Sequence, residues 1–240
     1  MNELWNTLAA RGNLTLDAGQ HDKLGRYLDC LAAANEMMNL TRITDRPAAE
    51  IHHVGDALTL LPFLPAGPLR LADVGSGGGV PGLPLAIVRP ELDVWLVEAT
   101  KKKAAFLEKA AAELGLGNVH VLALRAEEVG QFEHREAFDV AAARAVATLD
   151  WLAEWCLPLL KLKGKMLAMK GKRAAEELPA ATIAIRLLGG GKPIVHPIEL
   201  PDTDSHVVIE IGKQQRTDLK YPRPPTSAKG RAIGAAGKEK

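Results

Sequence analysis

One stretch of the chain joins an acid to a run of glycines: Asp73-Val74-Gly75-Ser76-Gly77-Gly78-Gly79-Val80-Pro81-Gly82. Gly75, Gly77 and Gly79 lack Cβ atoms, so the backbone can turn sharply and approach a ligand. Gly77, Gly79 and Gly82 also satisfy G-x-G-x-x-G, and Glu98 follows at the spacing of a ribose-binding acid. Two cofactor classes share that spacing, nicotinamide dinucleotides and S-adenosylmethionine. Asp73 separates them. A dinucleotide sets its pyrophosphate on the loop amides and the helix N-terminus behind them, where a carboxylate repels it. S-adenosylmethionine has no phosphate and presents an ammonium, a carboxylate and a sulfonium. An acid just before the glycines can pair with that cationic end, each charge-assisted bond being worth about 1.5–3 kcal/mol, and Glu98 can accept both ribose hydroxyls. The plainer alternative is a strand-end acid facing water with glycines that only make a turn; for the whole arrangement it is the weaker reading. Placed at a loop edge, Asp73→Ala is expected to abolish cofactor binding and leave the fold intact. Ala126-Glu127, farther on, can meet an adenine edge or can equally be a helix cap and a surface acid.

Such residues need strand ends and tight turns to hold them. LRLADVG, DVWLVEA, NVHVLAL, FDVAAARA and GKMLAMKG read as short apolar strands. LPLAIVRP, KKKAAFLEKAAAELG, TLDWLAEWCLPLLK and EELPAATIAIRLLGG read as helices between or after them, with Gly115 a left-handed cap. Near-continuous apolar strands separated by helices indicate a parallel sheet covered on both faces. PIVHPIEL and HVVIEIGK, joined by PDTDS, read as a closing antiparallel pair. Ahead of these, Asp17 to Met38 carries Leu24, Leu28, Leu31 and Ala32 at helix spacing, and a second helix runs from Asp45 and Pro47 to about Leu61. The expected fold is α/β, a doubly wound, Rossmann-like sheet of the class I methyltransferase type. Its expected parts are a helical extension over 1–65, a methyltransferase domain over 66–212 and a basic tail over 213–240. Ligands of such sheets sit beyond the carboxyl ends of the strands, which marks Asp73, Glu98, Arg144 and Lys170.

The runs NLT (Asn39 to Thr41), HHVGD, DVGSGGGVPGLPLAIVRPE, VEATKKKAAFL, RAEE, ARAVATL and AMKG follow one another over most of the chain. Together they resemble the bacterial small-subunit ribosomal RNA guanine-N7 methyltransferases (RsmG, also called GidB). The glycine loop alone indicates only a methyltransferase; the VPGLPLAIVRP and ARAVATL blocks are more discriminating. The resemblance implies methylation of one guanine in 16S rRNA near the decoding region, with S-adenosylmethionine as cofactor. By position it implies cofactor contacts at Gly75, Val80, Glu98, Ala99, Thr100, Ala126, Glu127 and Arg144. The chain departs from the family at Asp56-Ala57, where the family often has Asp-Ser, and after Tyr221-Pro222-Arg223, where Pro224-Pro225 follow.

Guanine N7 carries an in-plane lone pair and no proton, so it can attack a sulfonium methyl directly. No general base, nucleophilic cysteine or metal is required. Holding the reactants in line can supply up to about 7–11 kcal/mol, and electrostatics suited to charge moving onto the ring supplies the rest. The chain lacks the N/D-P-P-Y type of motif that methylators of exocyclic amines use, and Cys30 and Cys156 read as core residues. Candidates for holding the guanine or its RNA are Asn39, Arg42, His53, Asp56, Arg144 and Lys170. Asn39 has a helix-cap alternative, which is commoner; His53 and Asp56 share a helix face or form a solvated pair. Arg144 has a structural ion pair as its alternative, and Lys170 a surface position.

The 240 residues hold 47% hydrophobic and 25% charged side chains, which excludes a disordered chain. Aromatic residues, at 4%, are too few for a base-stacking sheet. Two cysteines without zinc or disulfide spacing fit a reducing compartment, and no signal peptide or membrane-spanning run is read. The expectation is a cytoplasmic monomer acting on 16S rRNA or a small-subunit particle, with no membrane and no DNA partner. The net charge of +1 hides a tail, from Lys213 on, with eight basic residues against Asp218 and Glu239. It reads as a solvated terminus or as an arm for a polyanion; if an arm, removing 213–240 weakens RNA association more than cofactor binding. Competing functions are a small-molecule methyltransferase, a nicotinamide-dependent oxidoreductase and a non-catalytic RNA-binding module.

Overall fold

The computed structural model describes residues 2–228 and 230–234. It divides into two compact units, the first running through Leu124 with Glu199–Thr203 added, the second from Arg125 to Ile198 and from Asp204 onward.

In the first unit, α1 (Glu3–Arg11) and α2 (Ala18–Met38) are followed by α3 (Arg46–Ala49), a π-helical turn over Glu50–Gly55 and α4 (Asp56–Leu58). The sequence predicted one regular helix from Asp45 to about Leu61; the start is met, with Asp45 accepting the Ala48 N–H at 3.0 Å, but a wider turn interrupts it. Then β1 (Arg70–Val74), α5 (Gly82–Val88), β2 (Asp93–Val97), α6 (Lys101–Glu113) and β3 (Val119–Leu122) alternate. β1 and β3 flank β2, both parallel to it, with Asp73 opposite Leu96. Asp17 and Gln20 form a reciprocal capping box that starts α2.

Helix α2 closes the ends of the helices that follow the glycine loop and β2. Gln20 Nε2 donates to Val88 O at 3.1 Å, at the last residue of α5, and Arg26 Nη2 donates to Glu113 O at 2.6 Å at the end of α6. Carbonyls that a helix end leaves without partners are satisfied in this way. Leu24, Leu28 and Leu31 are buried as expected, whereas Ala32 faces solvent and Tyr27 completes the stripe. Cys30 is half-buried rather than core: its Sγ donates to Glu113 at 3.3 Å, and burial pushes the thiol pKa up. Cys156 is fully buried.

The second unit contains α7 (Ala126–Val129), β4 (Phe138–Arg144), α8 (Leu149–Cys156), β5 (Leu160–Lys170), α9 (Ala174–Leu187), β6 (Ile194–Pro197), β7 (Val207–Gly212) and α10 (Pro225–Ala228). Its strands run in the order β4-β5-β7-β6, with β4 and β5 parallel and β7 antiparallel to both neighbours. Val140 to Ala143 are fully buried, as a strand covered on both faces requires. The α/β class and the antiparallel ending agree with the sequence.

The tail does not. Its first part is built into the second unit rather than extended as an arm. Lys213 is buried and donates to Leu157 O at 2.8 Å, Leu188 O at 3.0 Å and the Thr217 hydroxyl. Arg135 donates to the carbonyls of Thr217 and Tyr221, each at 2.6 Å. Arg223 pairs with Glu154, and Lys220 with Asp218. A local charge count cannot foresee this, since it is blind to acceptors brought up from distant segments. Lys229, Lys238 and Lys240 lie outside the described residues.

Burial lowers the Lys213 pKa from 10.5 to about 8. Between those values the unfolded chain binds the extra proton, so this lysine makes stability rise as pH climbs through that window. Denaturant titrations of the wild type across it should show a positive slope that Lys213→Met lacks; equal slopes would remove the assignment.

Candidate active site

The glycine loop leaves β1 at Val74 and is pinned to β2, Gly75 N–H and Ser76 N–H both donating to Val97 O at 2.8 and 3.2 Å. Ser76 Oγ donates back to Asp73 O at 2.8 Å. Gly75, Gly77 and Gly79 have φ of 75°, 54° and 93°, a region that glycine enters without strain. A Cβ on Gly79 would lie 2.5 Å from Leu83 Cδ1 and 3.2 Å from Leu107 Cδ2. Above Gly77, by contrast, a Cβ would meet nothing closer than Gly75 O at 3.8 Å, so that face is open to a ligand. Gly79→Ala should therefore cost about 1–3 kcal/mol of stability from the backbone alone, read as a lower melting temperature. A wild-type melting temperature would contradict this packing.

Asp73 is 0% exposed and lies inside β1. Its Oδ2 accepts the Gly82 N–H at 3.0 Å, so the carboxylate folds the loop back onto its own strand. The acid is thus part of the strand rather than of the loop edge that the sequence expected, and one of its oxygens closes the loop. Glu98, 7% exposed, accepts the Gly77 N–H at 3.0 Å through Oε2 and the Thr100 N–H at 2.7 Å through Oε1. The amides of the loop, of the α5 start and of the α6 approach thus already serve two carboxylates. A pyrophosphate needs those amides and would meet two negative charges there. A cation-bearing cofactor with ribose hydroxyls suits them. The observed donor set therefore fits S-adenosylmethionine and opposes a dinucleotide.

Tyr27 was missed in the sequence, where it looks like one more core aromatic. Its hydroxyl donates to Gly78 O at 2.9 Å, and a Cβ on Gly78 would meet Leu31 Cδ1 at 2.8 Å. Helix α2 thus backs the glycine loop. Val80 is half-buried, and Ala99 and Thr100 are exposed just before α6.

Among the RNA-side candidates of this unit, Asn39 ends α2 in the left-handed conformation, φ 51° and ψ 52°, so its cap alternative is the one realised. His53 sits in the π-helical turn, 5% exposed, with Nε2 3.1 Å from Thr41 Oγ1. Asn35 Oδ1 accepts the Thr41 N–H at 2.8 Å, which fixes the NLT run against that histidine. Asp56, 1% exposed, begins α4. The pair is buried, not solvated. Arg42 is exposed.

In the second unit Ala126 opens α7 and Glu127 is buried there, while Arg144 ends β4 half-buried. Lys170, for which the sequence left an RNA contact or a surface position open, is not at the surface. Its Nζ is 2.6 Å from Glu177 Oε2 and donates to Ala147 O at 2.6 Å, with the side chain 10% exposed.

The family model for rRNA small subunit methyltransferase G matches residues 20–204. The chain belongs to that family. A Roseiflexus sp. (strain RS-1) protein named Ribosomal RNA small subunit methyltransferase G is 45% identical over 224 residues, covering 93% of this chain and 95% of its own. One of the same name from Sorangium cellulosum (strain So ce56) is 54% identical over 177 residues, 73% and 74% of the two chains. Among solved structures, a SAM-dependent methyltransferase from Aquifex aeolicus superposes with a TM-score of 0.56 at 14% identity, over 73% of this chain and 97% of that one. That likeness shows the class I methyltransferase fold. The activity implied by the sequence resemblance holds: the protein is an S-adenosylmethionine-dependent guanine-N7 methyltransferase of 16S rRNA.

Proposed function

We propose that the enzyme works by positioning alone, with its cofactor on the glycine loop and no protein group moving a proton. When bound, S-adenosylmethionine supplies an electron-poor methyl that the guanine N7 lone pair can take in line. The backbone of Gly75, Gly77, Gly79 and Val80 shapes the seat, Asp73 holds it closed from behind, and Glu98 receives the ribose. Ala99, Thr100, Ala126 and Glu127 are assigned to the rest of the nucleoside. His53, Asp56 and Arg144 are assigned to the guanine, and Arg42, exposed just past α2, to an RNA phosphate. The observation that carries this reading is that Asp73 and Glu98 use the Gly82, Gly77 and Thr100 amides. Among the described residues no group of His, Cys, Asp or Glu is placed to hold a metal. No described helix is long and apolar enough to cross a membrane. A substrate of 16S rRNA or a small-subunit particle supports a cytoplasmic location.

The test is incubation with labelled S-adenosylmethionine and small-subunit RNA or particles lacking the mark, followed by mapping of the methylated atom. Label on guanine N7 is expected, with a rate that falls as salt rises, at a log–log slope of about −0.7 per single-strand phosphate contact. Turnover of a small molecule without RNA, indifferent to salt, would sink the reading.

A further inference from the structure

Ala145 leaves the carboxyl end of β4 with φ of +55°, a conformation that residues with a Cβ hold only under constraint from their surroundings. It is exposed, as is Val146 after it. The constraint comes from two side chains outside the segment. Lys170, the last residue of β5, donates to Ala147 O at 2.6 Å, and Glu177 Oε2, on α9, accepts the Leu149 N–H at 2.8 Å. The two side chains pair with each other at 2.6 Å and are 10% and 12% exposed. One ion pair therefore ties down both ends of the stretch 147–149.

A buried pair of this kind adds little net stability over well-packed apolar side chains, although breaking it by removing one partner is costly. What it does supply is a fixed geometry, here for a segment without regular structure. In sheets of this class the ligand lies beyond the carboxyl ends of the strands, and residues 145–149 are the ones that leave β4. We infer that Lys170 and Glu177 are positioning residues for methyl transfer: they hold Ala145 and Val146 in a strained turn that gives the target nucleotide an immobile surface. The inference rests on the rRNA methyltransferase reading. Neither side chain touches the reacting atoms; both act through the backbone of Ala147 and Leu149.

Two variants test it. Lys170→Met keeps the stem and removes the donor, and Ala145→Gly removes the strain without touching a contact. In both, kcat on small-subunit RNA should fall ~10- to 100-fold, as misplacement by about an ångström does, while the cofactor Kd from calorimetry stays within about twofold. Ala145→Gly should keep or raise the melting temperature, so a purely structural role predicts no loss of kcat there. Glu177→Gln, which retains an acceptor for Leu149, should keep more kcat than Glu177→Ala. Wild-type kcat in both Lys170→Met and Ala145→Gly overturns the inference. Should Lys170→Met fail to fold, Ala145→Gly decides by the same criterion. Wild-type enzyme that methylates no RNA removes the parent reading instead, so the two failures are distinct.

Discussion

Replacing Glu98 by alanine should raise the Kd for S-adenosylmethionine at least about 100-fold while leaving the protein folded. The carboxylate directly follows β2 and is held by two backbone amides, Gly77 N–H and Thr100 N–H, so it is aimed before a ligand arrives. Charge-assisted bonds to two ribose hydroxyls are worth about 1.5–3 kcal/mol each, which sets the size of the loss. The two amides it would abandon lie at half-buried Gly77 and exposed Thr100, where water can take its place. Calorimetry gives the affinity and thermal unfolding the fold. Glu98→Gln should fall between wild type and alanine, because one acceptor survives without the charge. An alanine variant that binds the cofactor normally would end the ribose assignment. Asp73→Ala should behave differently from the sequence expectation. It strands the Gly82 amide at a fully buried site, at a cost of about 1–3 kcal/mol, so cofactor affinity and stability should fall together.

Arg223→Ala, which keeps the main-chain donor but removes both guanidinium donors, should lower the melting temperature by roughly 10 °C. Glu154 is 0% exposed, and Arg223 gives it three donors: the main-chain N–H at 2.8 Å, Nε at 2.8 Å and Nη2 at 2.6 Å. Removing one partner of a buried pair costs about 3–5 kcal/mol, and each kcal/mol lowers the melting temperature of a chain this size by about 2–4 °C. Adding Glu154→Leu should recover much of the loss, since no unpaired charge remains. A melting temperature unchanged in Arg223→Ala would show that Glu154 is stabilised by something other than this pair. The same bonds revise the truncation expectation. Cutting at 213 removes buried Lys213 and the partner of buried Glu154, so unfolding should precede any selective loss of RNA binding.

The glycine loop was legible because its logic is local. Positive φ at Gly75, Gly77 and Gly79 is forced within a few residues, and β1, β2, β4 and β5 announce themselves by apolar runs with Asp73, Glu98, Arg144 and Lys170 at their ends. Periodicity likewise marked Leu24, Leu28 and Leu31 on α2, but it could not tell Tyr27 from a plain core aromatic. The carbonyl that receives its hydroxyl is 51 positions away.

Sequence by itself determined the α/β alternation, the seat between Asp73 and Gly82, the acid at Glu98 and the ordered blocks that name the family. Only the tertiary structure decided what those charges do. Asp73 turned inward because the loop curls until the Gly82 amide, nine positions on, reaches its carboxylate. Lys170 became a clamp because Glu177 and Ala147 O come within 2.6 Å of it, and Arg223 was drawn in to half-burial because Glu154, 69 positions away, is sealed from water. A residue type carries its charge in the sequence, but a hydrogen-bond partner exists only once the chain has closed, and burial then sets how strongly the two are coupled.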